Sequence, residues 1–352
     1  MPTTMKAVRF HGSAEGLRVE SVPVRAPGPD EVLVKVAACG LCGSDVHFLE
    51  GMPVPGPLPV TFGHEPSGTV VSAGDEAAEW QPGDRVAITI SDGCGRCRTC
   101  RSGAPEACPQ QRAPGLHLDG AFAEYVTVAA SSLVRVPDGV SMAAAAVATD
   151  CVASPYHALK CRGRLNPGEQ VVVIGIGGLG SMAVVLARQL GAGRVVAVDR
   201  SPAALARAMA SGADDGVLVA DDADATAASR GLLAAVDGGA ELVLECVGRP
   251  DTTTLGGLAL VPGGRLVLVG VGMAAPPIPH PQALFALFEY SVIGSFASHK
   301  EDLIEVLRLE ECGAIDIEAA ISHRVTLEEV PAGYERLRQY QGDPQRIVME
   351  NL

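Results

Sequence analysis

Four cysteines, Cys94, Cys97, Cys100 and Cys108, are separated by two, two and seven residues. Thiolates so placed can surround one tetrahedral zinc at ~2.3 Å each. With all four positions taken by sulfur, no site is left for a substrate, so the pattern points to a structural metal. Gly95, Gly103 and Pro105 let the chain turn tightly around it. Spaced cysteines also hold iron–sulfur clusters, but the run lacks the surrounding signature. A second set is dispersed: Cys42, His64 and Asp150, with Glu65 beside His64. One thiolate, one imidazole and one carboxylate leave a fourth position open, as in a catalytic zinc site. An alcohol oxygen there would lose its proton for the reason zinc-bound water does, whose pKa falls from ~15.7 to ~7. The resulting alkoxide could release a hydride. Ser44, two residues past Cys42, offers a hydroxyl relay for the proton. His47, with an ordinary pKa of ~6.5, offers the terminal base.

A hydride needs a carrier. The stretch Val171-Val-Val-Ile-Gly-Ile-Gly-Gly-Leu-Gly180 contains Gly175-x-Gly177-x-x-Gly180, with Gly178 and Leu179 inside the motif. It follows an apolar strand and opens a helix, the context that a dinucleotide-binding turn requires. The pyrophosphate would sit at the helix N-terminus. Asp199 ends the next strand, nineteen residues past Gly180. A carboxylate there accepts from the adenosine ribose hydroxyls and repels a 2′-phosphate, which favours NAD over NADP. Arg200 is a neighbour of the kind that can accommodate that phosphate.

These residues need elements to position them. The first ~150 residues read as short strands, such as Glu31–Ala37, Gly68–Ser72 and Arg85–Ile90, punctuated by Gly, Pro and Asp. Gly40-Leu-Cys-Gly-Ser-Asp-Val-His47 reads as a polar loop, and Ala143–Ala146 as helical. From Val171 strands and helices alternate: Val171–Ile174, Leu179–Leu190, Arg194–Val198, Pro202–Met209, then strands Glu241–Leu244 and Leu266–Val269. That rhythm predicts a parallel sheet with helices on both faces. Asn166-Pro-Gly-Glu is the turn that introduces it. The tail from about Phe296 shows one helical stretch, Glu301–Arg308. Its last apolar piece, Arg346–Met349, is placed to return to the first domain.

In order and spacing, Cys42-Gly-Ser-Asp45, Gly63-His-Glu65, the four-cysteine run and the glycine motif resemble the zinc-containing medium-chain alcohol dehydrogenases (medium-chain dehydrogenase/reductase family) over nearly the whole chain. The resemblance implies an α/β protein with two domains. One is a GroES-like β-rich catalytic domain, residues 1–152 and 296–352, with a zinc-binding lobe at 93–109. The other is a Rossmann doubly wound parallel-sheet domain, 153–295. It implies two zinc ions per chain. Cys42 and His64 would bind the catalytic one, Glu65 would lie in or next to its coordination shell, and Asp45 would orient a ligand. The Ser44–His47 relay would run through a cofactor ribose.

The third ligand departs from the best-known members, which carry Cys where counting back from Tyr156 places Asp150. A carboxylate is a sound zinc donor at ~2.0–2.2 Å; a register one residue later offers Cys151. By the same resemblance Val247, Gly248, Val269 and Val271 line the ribose sides of the cofactor, and Arg346 lies near its pyrophosphate. The expected activity is reversible hydride transfer between NAD and a primary or secondary alcohol. Mostly apolar candidates for the pocket (Phe48, Leu49, Leu116, Val152 and Phe285) suggest a hydrophobic one. Asp150 also suits an alternative, a formaldehyde-dehydrogenase-like or dismutating enzyme with retained NAD. A zinc-stabilised NAD sensor without turnover is opposed by Ser44 and His47.

Composition narrows the rest. A net charge of −14, from 41 acidic and 27 basic residues, argues against nucleic acid and anionic membranes as partners. The family resemblance, rather than composition, implies the partners: a small alcohol or carbonyl compound as substrate, and a homodimer or homotetramer formed through the NAD-domain edge. The start MPTTMKAVRF has no apolar secretory core, no apolar run is long enough to span a bilayer, and the ten cysteines are clustered. Together these point to a cytoplasmic protein with metal rather than disulfides. At 47% hydrophobic but 4% aromatic, the cores must be mainly Val, Leu, Ala and Ile.

Overall fold

The computed structural model describes residues 2–90, 93–220 and 225–351. The chain forms two units, Met1–Ala153 with Ala297–Leu352, and Ser154–Phe296.

The first unit is organised around the strand Glu31–Leu41, whose sequence EVLVKVAACGL is apolar almost throughout and buried almost throughout. Along one edge it pairs antiparallel with Glu65–Ala73. Along the other it pairs antiparallel with Tyr125–Ala129 near its start and with Arg346–Glu350 near its end. Arg346–Glu350 pairs in turn with Ile321–Val325, and Glu65–Ala73 leads on to Arg85–Ile88 and Leu133–Arg135. A smaller sheet holds Thr4–Phe10 between Leu17–Pro23 and Val60–Thr61. Phe10 and Phe62, ring centroids 4.7 Å apart, fill the core with Val34, Ile88 and Phe122. Phe48 and Leu116 belong to that core, and Leu49 packs against it. All three were expected at a substrate pocket.

Register does the positioning. Gly40 stands opposite Glu65 on one side and Val348 on the other. The end of one strand is thereby fixed beside His64, Glu65 and Arg346. The polar segment that follows is not a loop. Cys42, with extended backbone, caps the N-terminus of the helix Gly43–Leu49, which buries Asp45 and Phe48. Of its polar residues Asp45 alone is buried, and Ser44 and His47 are half-buried.

A second helical run starts at Met142, where Ser141 caps by accepting from Ala144 N at 3.0 Å. It passes through a π-turn, Ala148–Val152, before Ala153–His157. Such turns often mark functional positions, and this one carries Asp150. The tail also differs from the sequence reading. Besides Lys300–Glu311 it holds a second helix, Val330–Arg338. A capping box between Thr326 and Glu329 and Pro331 in the first turn announce it.

In the second unit, six parallel strands run in the order Asp215–Leu218, Arg194–Asp199, Gln170–Ile174, Ala240–Glu245, Leu260–Leu268 and Ser291–Gly294. By chain position that is third, second, first, fourth, fifth, sixth, the Rossmann order. Val172, Ile174, Val196, Val198, Val243 and Leu266 form its core, in keeping with buried parallel strands. Phe285 packs edge-on to Tyr290 in this unit. Among the described residues, no helix is long and apolar enough to cross a membrane.

Candidate metal and cofactor sites

The first unit gathers Cys42, His64, Glu65 and Asp150, all buried, with one ligand atom of each within 4.8 Å of the others. Cys42 Sγ lies 3.4 Å and His64 Nε2 3.8 Å from Asp150 Oδ2. A tetrahedron with bonds of ~2.0–2.3 Å has edges of roughly 3.3–3.8 Å, so sulfur, nitrogen and oxygen already stand at a zinc ion's spacing. The electrostatics agree. Burial first, then the carboxylates of Asp150 and Glu65, push the Cys42 thiol above its ordinary pKa. Burial lifts Glu65 to about 7 against the pull of Arg346. Three acidic groups hidden from water are costly to ionise unless a cation lies among them. Glu65 Oε2 has no hydrogen-bond donor among the described residues. The donor set and its charge therefore fit a zinc ion.

The neighbours hold these groups in place. Arg346 Nη1 donates at 2.9 Å to both Glu65 Oε1 and the Leu41 carbonyl. Asp45 Oδ1 stands 3.2 Å from His64 Nδ1, close but off the hydrogen-bond direction. Asp45 Oδ2 accepts from the Tyr334 hydroxyl. Burial lowers the His64 pKa, but the carboxylates of Asp45 and Asp150 outweigh it and raise the imidazole well above its ordinary value. Ser44 Oγ donates to Cys42 Sγ at 3.2 Å. His47 follows one helical turn on, half-buried, on the same face. Cys151 is fully buried and lies outside the four-residue set that contains Asp150.

Cys94, Cys97, Cys100 and Cys108 also converge within 4.8 Å. Cys97 Sγ is 3.4 Å from Cys100 Sγ and 3.8 Å from Cys108 Sγ. Backbone N–H groups of Cys94, Cys100 and Gln110 donate to these sulfurs at 3.3–3.4 Å. Amides of Arg96 and Cys97 lower the Cys94 thiol to about 6. Amide donors that stabilise thiolates suit four-sulfur metal binding.

In the second unit the glycine loop joins Gln170–Ile174 to the helix Gly178–Gln189. Gly175 needs its left-handed φ of 88°, and a Cβ on Gly180 would lie 1.8 Å from Gly175 O. Asp199 Oδ2 accepts from Ile176 N at 2.6 Å, which seats the carboxylate against the loop. Arg200 is exposed beside it. Val247 packs its side chain at Gly175, and Gly248 lies against Val271. Val269 N donates to the Glu245 carbonyl at 2.8 Å. Gly175, Gly177, Gly178, Leu179, Gly180, Asp199, Val247, Gly248, Val269 and Val271 thus cluster at the carboxyl ends of parallel strands, where such sheets bind ligands. Arg346, expected near the pyrophosphate, is buried against Glu65 in the first unit.

Residues 28–138 match the family model for the alcohol dehydrogenase GroES-like domain, and residues 178–311 match that for zinc-binding dehydrogenases. The chain is 30% identical to an NAD-dependent alcohol dehydrogenase of Sulfurisphaera tokodaii, over 98% of this chain and 100% of that one. The chain belongs to the zinc-containing medium-chain alcohol dehydrogenase family. It is an oxidoreductase of that family. Its fold matches alcohol dehydrogenase TADH from Thermus sp. ATN1 with a TM-score of 0.88, at 33% identity over 98% and 99% of the two chains. A candidate zinc-binding dehydrogenase of Sinorhizobium meliloti 1021, bound to NADP, also gives 0.88, at 32% identity over 99% and 100%.

Two residues of this dehydrogenase escaped the sequence reading. Tyr334 sits on the unforeseen tail helix and reaches Asp45 across 289 positions. Glu245 is buried at the end of its strand, and its carboxylate accepts from Val247 N at 2.8 Å, Gly248 N at 2.9 Å and Thr252 Oγ1 at 2.8 Å. Its signal was available: an acidic residue ending an apolar strand needs donors nearby.

Proposed function

We propose that this protein is a zinc-dependent alcohol dehydrogenase that transfers a hydride between NAD and a primary or secondary, hydrophobic alcohol. The buried convergence of Cys42, His64 and Asp150, with Glu65 alongside, carries the reading. Those three side chains would hold the catalytic zinc, and Cys94, Cys97, Cys100 and Cys108 a second, structural one. Zinc bound there acts as a Lewis acid that makes the alcohol proton easy to lose or a carbonyl easy to reduce. The chain's own residues do the rest. Asp45 orients His64. Ser44, half-buried on the helix that begins beside Cys42, takes the proton, and His47 one turn on releases it to water. The glycine loop and the N-terminus of Gly178–Gln189 receive the pyrophosphate. The carboxylate of Asp199 accepts from the adenosine ribose and repels a 2′-phosphate, which favours NAD.

A homodimer or homotetramer is proposed with it. Ser291–Gly294 is an edge strand of its sheet, and Met273, Ile278 and Leu287 are exposed in the same unit, apolar side chains that self-association would cover. The test is NAD reduction across aliphatic, cyclic and aromatic alcohols, before and after removal of metal by a chelator. Activity that follows zinc content supports the reading. Full activity in metal-free protein would sink it.

A further inference from the structure

We propose that Tyr334 is a positioning residue of the metal site: its hydroxyl holds Asp45 Oδ2, turning Asp45 Oδ1 toward His64 Nδ1 and so presenting His64 Nε2 to Cys42 and Asp150. The proposal rests on the reading that Cys42, His64 and Asp150 hold zinc.

The argument starts from Asp45, which is fully buried. A carboxylate without water needs a donor for each oxygen. One oxygen stands 3.2 Å from His64 Nδ1, off the hydrogen-bond direction, and the other accepts from Tyr334, so the Tyr334 bond is the contact that fixes the carboxylate's angle to the imidazole. If Oδ2 loses its donor, Asp45 gains by rotating to share Oδ1 among other groups, and the imidazole loses its guide. A metal-binding histidine depends on a partner at its second nitrogen to fix tautomer and ring angle.

Tyr334 has little freedom to serve any other end. Its ring stands edge-on to Phe122 at 85°, centroids 5.9 Å apart. Its helix is seated closely on the strand that leads to Cys42: a Cβ on the neighbouring Gly333 would lie 2.7 Å from Leu41 Cδ2. The ring is therefore buried against Phe122 on a closely seated helix, and its hydroxyl reaches Asp45. Packing alone would be served as well by phenylalanine, so the oxygen needs a separate reason.

The test is Tyr334→Phe, which keeps the ring and removes the oxygen. Zinc affinity is measured by competition with a chelator of known affinity, and total zinc by elemental analysis. Removing such an outer partner costs roughly 10- to 100-fold in metal affinity. The expected result is a loss of that size for one zinc per chain, with the other zinc unaffected. The cobalt-substituted variant should show shifted d–d bands. In an Asp45→Asn background, Tyr334→Phe should add little, because its route of action is gone.

Unchanged zinc affinity and an unchanged cobalt spectrum overturn the proposal while leaving the zinc site intact. A full additional loss in the Asp45→Asn background overturns it too. If Tyr334→Phe fails to fold, Asp45→Asn alone decides: a loss of at least tenfold supports the route, and unaltered affinity overturns it. If Asp150→Ala removes no zinc, the zinc reading beneath the proposal fails instead.

Discussion

Replacing Gly180 by Ala tests the dinucleotide loop most sharply. The added methyl carbon would lie 1.8 Å from Gly175 O and 2.9 Å from Gly175 C. Both are backbone atoms, so no side chain can swing aside. Real Cβ contacts essentially never fall below 3.0 Å, so loop and helix must separate by 3.0 less 1.8, about 1.2 Å. Overpacking of this kind costs about 1–3 kcal/mol of stability. The effect on the cofactor should be larger. A shift of that size would break the N–H bonds that the proposed function gives the loop with a pyrophosphate, each worth about 1.5–3 kcal/mol when the acceptor is charged. Losing two implies a rise in Kd of roughly 100-fold or more. Gly177→Ala is the control, since a Cβ there meets nothing within 4 Å and the φ is −81°. It should fold within about 1 kcal/mol of the parent, yet bind NAD poorly, because the methyl fills the space the phosphates need. Titration calorimetry with NAD, alongside urea unfolding of both variants, gives the answer. If Gly180→Ala bound NAD within threefold of the parent, the account of the loop would be wrong.

Three further predictions concern other parts of the chain. Asp150→Ala should lose one zinc per chain by elemental analysis and Cys151→Ala none; the reverse result moves the ligand by one residue. Arg346→Ala removes the guanidinium that donates to Glu65 and to the Leu41 carbonyl, leaving the His64 imidazole as the nearest positive group, so metal-free protein should lose about 3–5 kcal/mol in urea unfolding; a loss under 1 kcal/mol would show the pair to be dispensable. Glu169 is only 17% exposed, 2.6 Å from Arg265. Burial raises its pKa, but the amide and side chain of Asn166 and the Arg265 guanidinium outweigh it, and the folded value lies below the ordinary one. A depressed carboxylate adds stability that is present above its unfolded pKa of ~4.3 and fades as pH falls through the folded value. Glu169→Gln should therefore cost about 1 kcal/mol at pH 7 and almost nothing below that range; an equal deficit at both pH values would assign it to packing.

The fold class was legible because its signals are local. Val171–Ile174 is apolar without interruption, and the glycine spacing that follows admits few backbones. The expected elements of the α/β alternation fall within one residue of the observed ones, except that the strand expected at Leu266–Val269 begins six residues earlier, at Leu260, and the strands Asp215–Leu218 and Ser291–Gly294 were not foreseen. What escaped was long-range. The tail helix Val330–Arg338 buries only Val330, Gly333 and Tyr334, too sparse a stripe to stand out, although its capping box was in plain sight. Cys42 to His47 looked like a loop because the run is polar, yet it forms a helix that buries Asp45, so composition misreported structure. The π-turn at Ala148–Val152 has no residue pattern of its own. The spatial gathering of Cys42, His64, Glu65 and Asp150 could be inferred only from the resemblance, since no local rule joins positions so far apart. Phe48 and Leu116 carry no local signal of role: both are buried in the first unit's core, and an apolar residue near a metal motif is as ready to fill a core as to meet a substrate.

The placement of Arg346–Glu350 beside Glu31–Leu41 has a consequence for biosynthesis. Arg346 and Leu41 bond across 305 positions, whereas the six strands from Gln170–Ile174 to Gly294 all come from one continuous segment. A ribosome therefore delivers everything the second unit's sheet requires while the first unit still lacks two strands, Ile321–Val325 and Arg346–Glu350, and the guanidinium that pairs with Glu65. Closing so long a loop is slow, and domains tend to fold as their segments emerge. Nascent chains stalled before residue 346 should resist protease over 154–296 and remain cleavable over 31–73, with metal capture as one of the last events in the protein's maturation.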